Sequence, residues 1–171
     1  MTGQRPPVIV LCGPPCSGKT TLAAQLHVQT GLPYLAIDSI LRRVLPDSSF
    51  EEAERDLAYR VLGLTVEHLL VAGHGVIVDG TFARAPHLQD LETLASTCKA
   101  RLFLVECRID EEVAVSRFRN RGGRHPATDL DEERVRRLNR SYPYRFPGLV
   151  LDTSRRIDEC LARIRRLVGL A

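Results

Sequence analysis

Residues 8–20 read VIVLCGPPCSGKT, and this stretch constrains the fold more than any other part of the chain. Val8 to Cys12 is a short, continuously apolar run rich in β-branched residues, which suits a strand buried on both faces. Gly13-Pro14-Pro15-Cys16-Ser17-Gly18-Lys19-Thr20 follows and satisfies G-x-x-x-x-G-K-[ST] at every position. TLAAQLHVQ comes next, with Leu22, Leu26 and Gln29 at helical spacing and a stop at Thr30-Gly31. The 171 residues hold 12 glycines and only two lysines, Lys19 and Lys99. At those frequencies chance yields the octet in roughly one of a thousand such chains.

A strand, a glycine-bearing loop and a helix start in that order form a phosphate cradle. Gly13 and Gly18 allow backbone angles that turn successive N–H groups toward phosphate oxygens. The helix start adds free amides and the positive end of its dipole. Lys19 reaches the β and γ phosphates as a point charge, and Thr20 offers its hydroxyl to Mg²⁺. Pro14, Pro15, Cys16, Ser17 and Thr21 complete the nucleotide-binding set, with Ser17 giving its amide and Cys16 no chemistry of its own.

Further apolar runs alternate with helical patterns. Tyr34 to Ile37 reads as a second strand ending at Asp38, GVIVDG as a third closed by Asp79, residues 100–107 as a fourth and 148–154 as a fifth. Between them, Phe50 to Ala72 is expected to be a helix with a stripe of Ala53, Leu57, Val61, Leu64 and His68, capped by Ser48 or Ser49. Residues 85–98, Asp110 to Arg121, Asp131 to about Arg140 and Ile157 to Leu170 read as helices too. This alternation predicts an α/β fold with a parallel sheet between helical layers, where ligands bind beyond the carboxyl ends of the strands.

Composition sets the class around that fold. Hydrophobic residues at 44% and charged ones at 26% suit one globular domain over residues 1–171. No apolar run is long enough for a membrane span, and MTGQRPPVIV has no leader pattern, so a cytoplasmic protein with reduced cysteines is expected. Twenty-four basic residues against 21 acidic ones are too balanced to indicate nucleic-acid binding.

Exclusion narrows the chemistry. No N-K-x-D reads guanine, and Gly80 stands where a water-activating glutamate would follow Asp79 in a mechanical ATPase. Phosphoryl transfer to an organic hydroxyl remains. Asp38 is placed to hold the acceptor hydroxyl and take its proton, or else to cap the short helix Ser39 to Val44. Arg42, one turn on, suits a polar or anionic acceptor, or is a solvated arginine. Asp79 holds Mg²⁺ with Thr20, or touches substrate. Thr81, Phe82 and Arg84 are candidates for the acceptor pocket, with Phe82 equally suited to the core. Arg117 and Arg121 share a helix face beside Gly122-Gly123, either as a lid over about 117–130 that brings charge to the moving phosphoryl group or as a solvated basic helix.

GPPCSGKT, the D-S-I-L-R after the second strand, V-D-G-T-F after the third, R-F-R-N-R before the lid and L-D-T-S after the fifth together resemble the small P-loop kinases of the nucleoside-kinase-like superfamily. That group includes chloramphenicol phosphotransferase, zeta toxins, gluconate kinase and the kinase domain of polynucleotide kinase. The resemblance implies a five-stranded sheet in order 2-3-1-4-5, ATP with Mg²⁺, an acceptor-binding Asp38, and adenine packed near Arg117 and the turn Asp152–Ser154, Thr153 included. Arg42 falls four residues after Asp38, where many relatives have three. Small sugars, nucleoside-like compounds or antibiotics are the expected acceptors. The alternatives are a polynucleotide 5′-hydroxyl, which Asp47, Glu51, Glu52 and Glu54 disfavour, and a nucleotide sensor without turnover, which would need neither Asp38 nor the arginine pair.

Overall fold

Each apolar run becomes a strand because helices cover both of its faces. The computed structural model describes residues 5–120, 130–144 and 148–169. The strands are β1 (Pro7–Cys12), β2 (Tyr34–Ala36), β3 (Val76–Asp79), β4 (Arg101–Arg108) and β5 (Leu149–Asp152). They form one sheet in the order β2-β3-β1-β4-β5, every pair parallel. β1 lies at the centre, with Val10 opposite Val78 on one side and Leu104 on the other.

Two helical layers close the sheet. The helices α1 (Lys19–Thr30) and α7 (Ile157–Val168) cover one face, where Leu22, Leu26, Leu161 and Ile164 meet Ile9, Leu11, Val105 and Cys107. The other face carries α2 (Ile37–Val44), α3 (Glu52–Val71) and α4 (Ala85–Thr97), packed on Val8, Val10, Cys12, Val78 and Leu104. Each fully buried aliphatic side chain contributes about 1.5–3 kcal/mol. A third cluster joins α5 (Glu111–Asn120) and α6 (Glu132–Arg140) to the loop after β1, through Ala114, Val115, Phe118, Val135 and Cys16.

Several local expectations are corrected. The second strand stops at Ala36 because α2 starts at Ile37, which puts Asp38 inside the first helical turn instead of at a cap. In α3 the buried stripe is Ala58, Leu62, Val66 and Leu70, whereas Leu64 is 60% exposed. The two stripes lie one to two positions apart, and packing against α2, α4 and the sheet decides which one turns inward. Glu51 caps α3 through a capping box with Glu54, and the hydroxyls of Ser48 and Ser49 donate to Glu54 as well. Gln29 of α1 faces solvent.

Candidate active site

The loop between β1 and α1 takes the shape its glycines permit. Gly13 has φ 146, and a Cβ there would lie 2.5 Å from the Cys107 carbonyl. Gly18 has φ 85, and its missing Cβ leaves room for the Arg117 guanidinium. Cys16 adopts φ 62 without being glycine, held there by burial under α5 and α6. From α6, the buried Asn139 donates its amide to the Pro15 carbonyl at 3.3 Å. The Lys19 ammonium donates to the Pro14 carbonyl at 2.8 Å and the Ser17 hydroxyl at 3.4 Å, so its charge is folded into the loop that would cradle phosphate.

The end of β3 supplies a carboxylate beside that loop. Thr20 donates its hydroxyl to Asp79 Oδ2 at 2.6 Å, and Tyr34 donates to the same oxygen at 3.0 Å. Burial above all, with the Asp38 charge adding to it, pushes the Asp79 carboxyl above its ordinary value, against Lys19, Thr20 and Tyr34. No group of three or more His, Cys, Asp or Glu occurs among the described residues to cage a metal. Thr20 and Asp79 are the residues here that could hold a hard cation.

Asp38 lies near enough for its charge to act on Asp79, Tyr34 and Tyr59. Burial first, and the Asp38 charge among the smaller causes, pushes the Tyr59 hydroxyl up to about 12. That hydroxyl accepts from the Phe82 amide at 3.0 Å and lies 3.4 Å from the Thr81 hydroxyl. The Thr81 carbonyl accepts from Tyr142 and from the Gly13 amide, tying the end of β3 to the phosphate loop.

Phe82 lies in the core, fully buried under the Tyr59 ring, because its φ of 49 turns the side chain inward. It supports the wall of the site without lining it. Arg84 is turned toward α3, where it pairs with Glu52 at 2.7 Å and Asp56 at 2.9 Å. The Arg42 guanidinium lies 5.6 Å from the Phe50 ring, with Arg55 5.3 Å from the same ring.

Across the sheet a cleft of about 300 Å³ opens at the head of α1, lined by Gly18, Thr21, Leu22, Arg117, Thr153, Arg155, Ile157 and Cys160. Arg117 donates to the Thr153 carbonyl at 2.5 Å and the Cys16 carbonyl at 3.4 Å, so it spans the floor between the phosphate loop and the turn after β5. Thr153 is held by its own N–H and hydroxyl, both on the Arg108 carbonyl. Arg121, with residues 122–129 of the expected lid, lies outside the described residues. The arm that leads to them is laced by Arg140–Glu111, Arg136–Glu111 and Arg119–Glu132 pairs.

Sequence reasoning did not single out Tyr34, Tyr59, Asn139 or Tyr142, because each acts through a contact distant in sequence.

Residues 8–144 match the AAA_33 family, described as an AAA domain. The chain belongs to that family. It is also 28% identical to the adenylate kinase of Mycobacterium sp. (strain MCS), over 94% of this chain and 98% of that one. Among solved structures it resembles the APS kinase of Mycobacterium tuberculosis in complex with AMPPNP and APS, at TM-score 0.76 and 20% identity, over 96% and 98% of the two chains. A gluconokinase from Sinorhizobium meliloti 1021 superposes with TM-score 0.67 at 15% identity, over 97% of each chain. This AAA_33 chain therefore has the nucleoside-kinase-like P-loop fold that its motifs resemble. None of its described helices is long and apolar enough to cross a membrane.

Proposed function

We propose that this chain is an ATP-dependent phosphotransferase that moves the γ-phosphoryl group to a hydroxyl of a small molecule. The observation that carries the reading is the Thr20–Asp79 contact at the head of a phosphate loop, with the Asp38 charge near enough to act on it. The cleft beside Arg117 and Thr153 would take the base of ATP, and the loop amides with Lys19 would take its phosphates. Thr20 and Asp79 would hold Mg²⁺, which would neutralise charge on the β and γ phosphates.

Asp38 orients the acceptor hydroxyl and takes its proton. The acceptor oxygen bonds to the γ-phosphorus, the bond to the bridging oxygen breaks, and ADP leaves. Arg121 is assigned to the charge on the moving group. The adenylate kinase, APS kinase and gluconokinase resemblances support a small acceptor over a nucleic-acid end.

Asp38→Asn tests the reading in a phosphorylation screen over sugars, nucleosides and phenicol- or aminoglycoside-type antibiotics. Transfer should fall by ~10²–10⁴ with ATP·Mg affinity near wild type. Unchanged transfer removes Asp38 from the chemistry, and lost ATP binding moves it to the metal.

A further inference from the structure

Glu106 is fully buried, and nothing in the phosphate chemistry uses it. It lies on β4 opposite Cys12 of β1, just before the phosphate loop begins. Leu104, on the same face of β4, packs with the α2–α4 layer, whereas Val105 and Cys107 pack with α1 and α7. Strand alternation therefore sets Glu106 and Arg108 on the face that carries the Asp38 helix, away from the nucleotide cleft.

A buried ion pair is weak evidence for stability, since an apolar residue of similar size serves as well, so what the carboxylate holds is the informative point. It holds Arg108, whose Nε donates to Glu106 Oε1 at 2.7 Å and whose guanidinium lies 4.7 Å from the centre of the Tyr144 ring. The Arg108 side chain stays 48% exposed. Its Nη1 and Nη2 donate to no acceptor among the described residues. A guanidinium fixed through Nε and its flat face presents its remaining edge as two parallel N–H donors, the match for two oxygens of one anion.

We infer that Arg108, oriented by Glu106, binds an anionic group of the acceptor. The acceptor is then a hydroxyl compound that also carries a carboxylate, phosphate or sulfate. This rests on the acceptor reading of Asp38. Three strand positions separate the end of β2 from the end of β4, about 14 Å at ~4.8 Å per strand. β3 and β1, the strand that leads into the phosphate loop, lie between those two ends.

Calorimetric titration of the whole protein, saturated with AMPPNP·Mg, tests this with matched pairs: gluconate and glucose, glycerate and glycerol, AMP and adenosine. At least one anion should bind wild type tenfold or more tightly than its neutral partner. Arg108→Gln should erase that preference, with Arg108→Lys and Glu106→Gln keeping part of it, and AMPPNP affinity should stay unchanged in all three. A structural role alone would lower the melting temperature of Arg108→Gln and leave the preference intact, which overturns the inference. So do a wild type with no anionic preference and an Arg108→Gln protein that has lost AMPPNP affinity. The underlying reading fails separately, if no hydroxyl compound, neutral or anionic, is phosphorylated.

Discussion

Thr20 and Asp79 are 59 residues apart in sequence, and their side chains meet at 2.6 Å. That hydrogen bond joins the first turn of α1 to the carboxyl end of β3, and Tyr34 completes it from the strand beyond. Three elements thus converge on one carboxylate oxygen.

Tyr34→Phe removes one of the two hydroxyls on Asp79 and leaves the ring in place. A hydrogen bond to a charged group is worth roughly 1.5–3 kcal/mol, so unfolding stability should fall by about that amount. Urea titration reads it. A midpoint equal to wild type would mean the Tyr34 contact is idle.

Arg117→Ala should weaken ATP binding ~10–100-fold, because two charge-assisted bonds that join the phosphate loop to the Thr153 turn are lost. Titration calorimetry with AMPPNP measures the change. An affinity equal to wild type would exclude the Arg117 cleft as the nucleotide site.

The corrected face of α3 is tested by a pair of variants. Leu62 is 1% exposed and Leu64 is 60% exposed. Leu62→Ala should lose about 2–5 kcal/mol and Leu64→Ala no more than ~0.5 kcal/mol. Equal losses in denaturant unfolding would return the helix to the other register.

Acid should loosen the α5–α6 arm. Hydrogen bonds from Arg140, with Arg136 after it, hold the Glu111 carboxyl below the ordinary 4.5. Arg136 does the same for Glu112 and Arg119 for Glu132. A carboxylate lowered by folding binds fewer protons folded than unfolded. Its contribution is therefore complete above pH 4.5 and is lost as pH falls through the depressed folded values. Glu111→Gln should flatten the acid side of a melting-temperature profile, and an unchanged profile would show that the pairs are too solvated to matter.

The phosphate loop was legible because its requirements are local. A buried strand, two glycines at fixed spacing, one lysine and a threonine meet their demands within thirteen residues of chain, whatever surrounds them. The five apolar runs were legible for the same reason, since a strand buried on both faces has to be apolar throughout.

Contacts between distant parts were not legible in this way. No local pattern in α3 separates the Ala58–Leu62–Val66 stripe from the neighbouring Leu57–Val61–Leu64 stripe, since both are apolar and the elements packed against the helix decide which is covered. Nothing near Phe82 states that a left-handed turn sends its ring under Tyr59, or that Tyr142 reaches the Thr81 carbonyl. The amino-acid sequence by itself determined that this chain builds a phosphate cradle on a parallel sheet, because those elements satisfy their own hydrogen bonds and backbone angles. The tertiary structure alone decided which side chains surround the cradle. Glu106 and Arg108 become a presented pair only once β4 lies beside β1 and Tyr144 folds beneath the guanidinium, because electrostatics and packing act across space rather than along the chain.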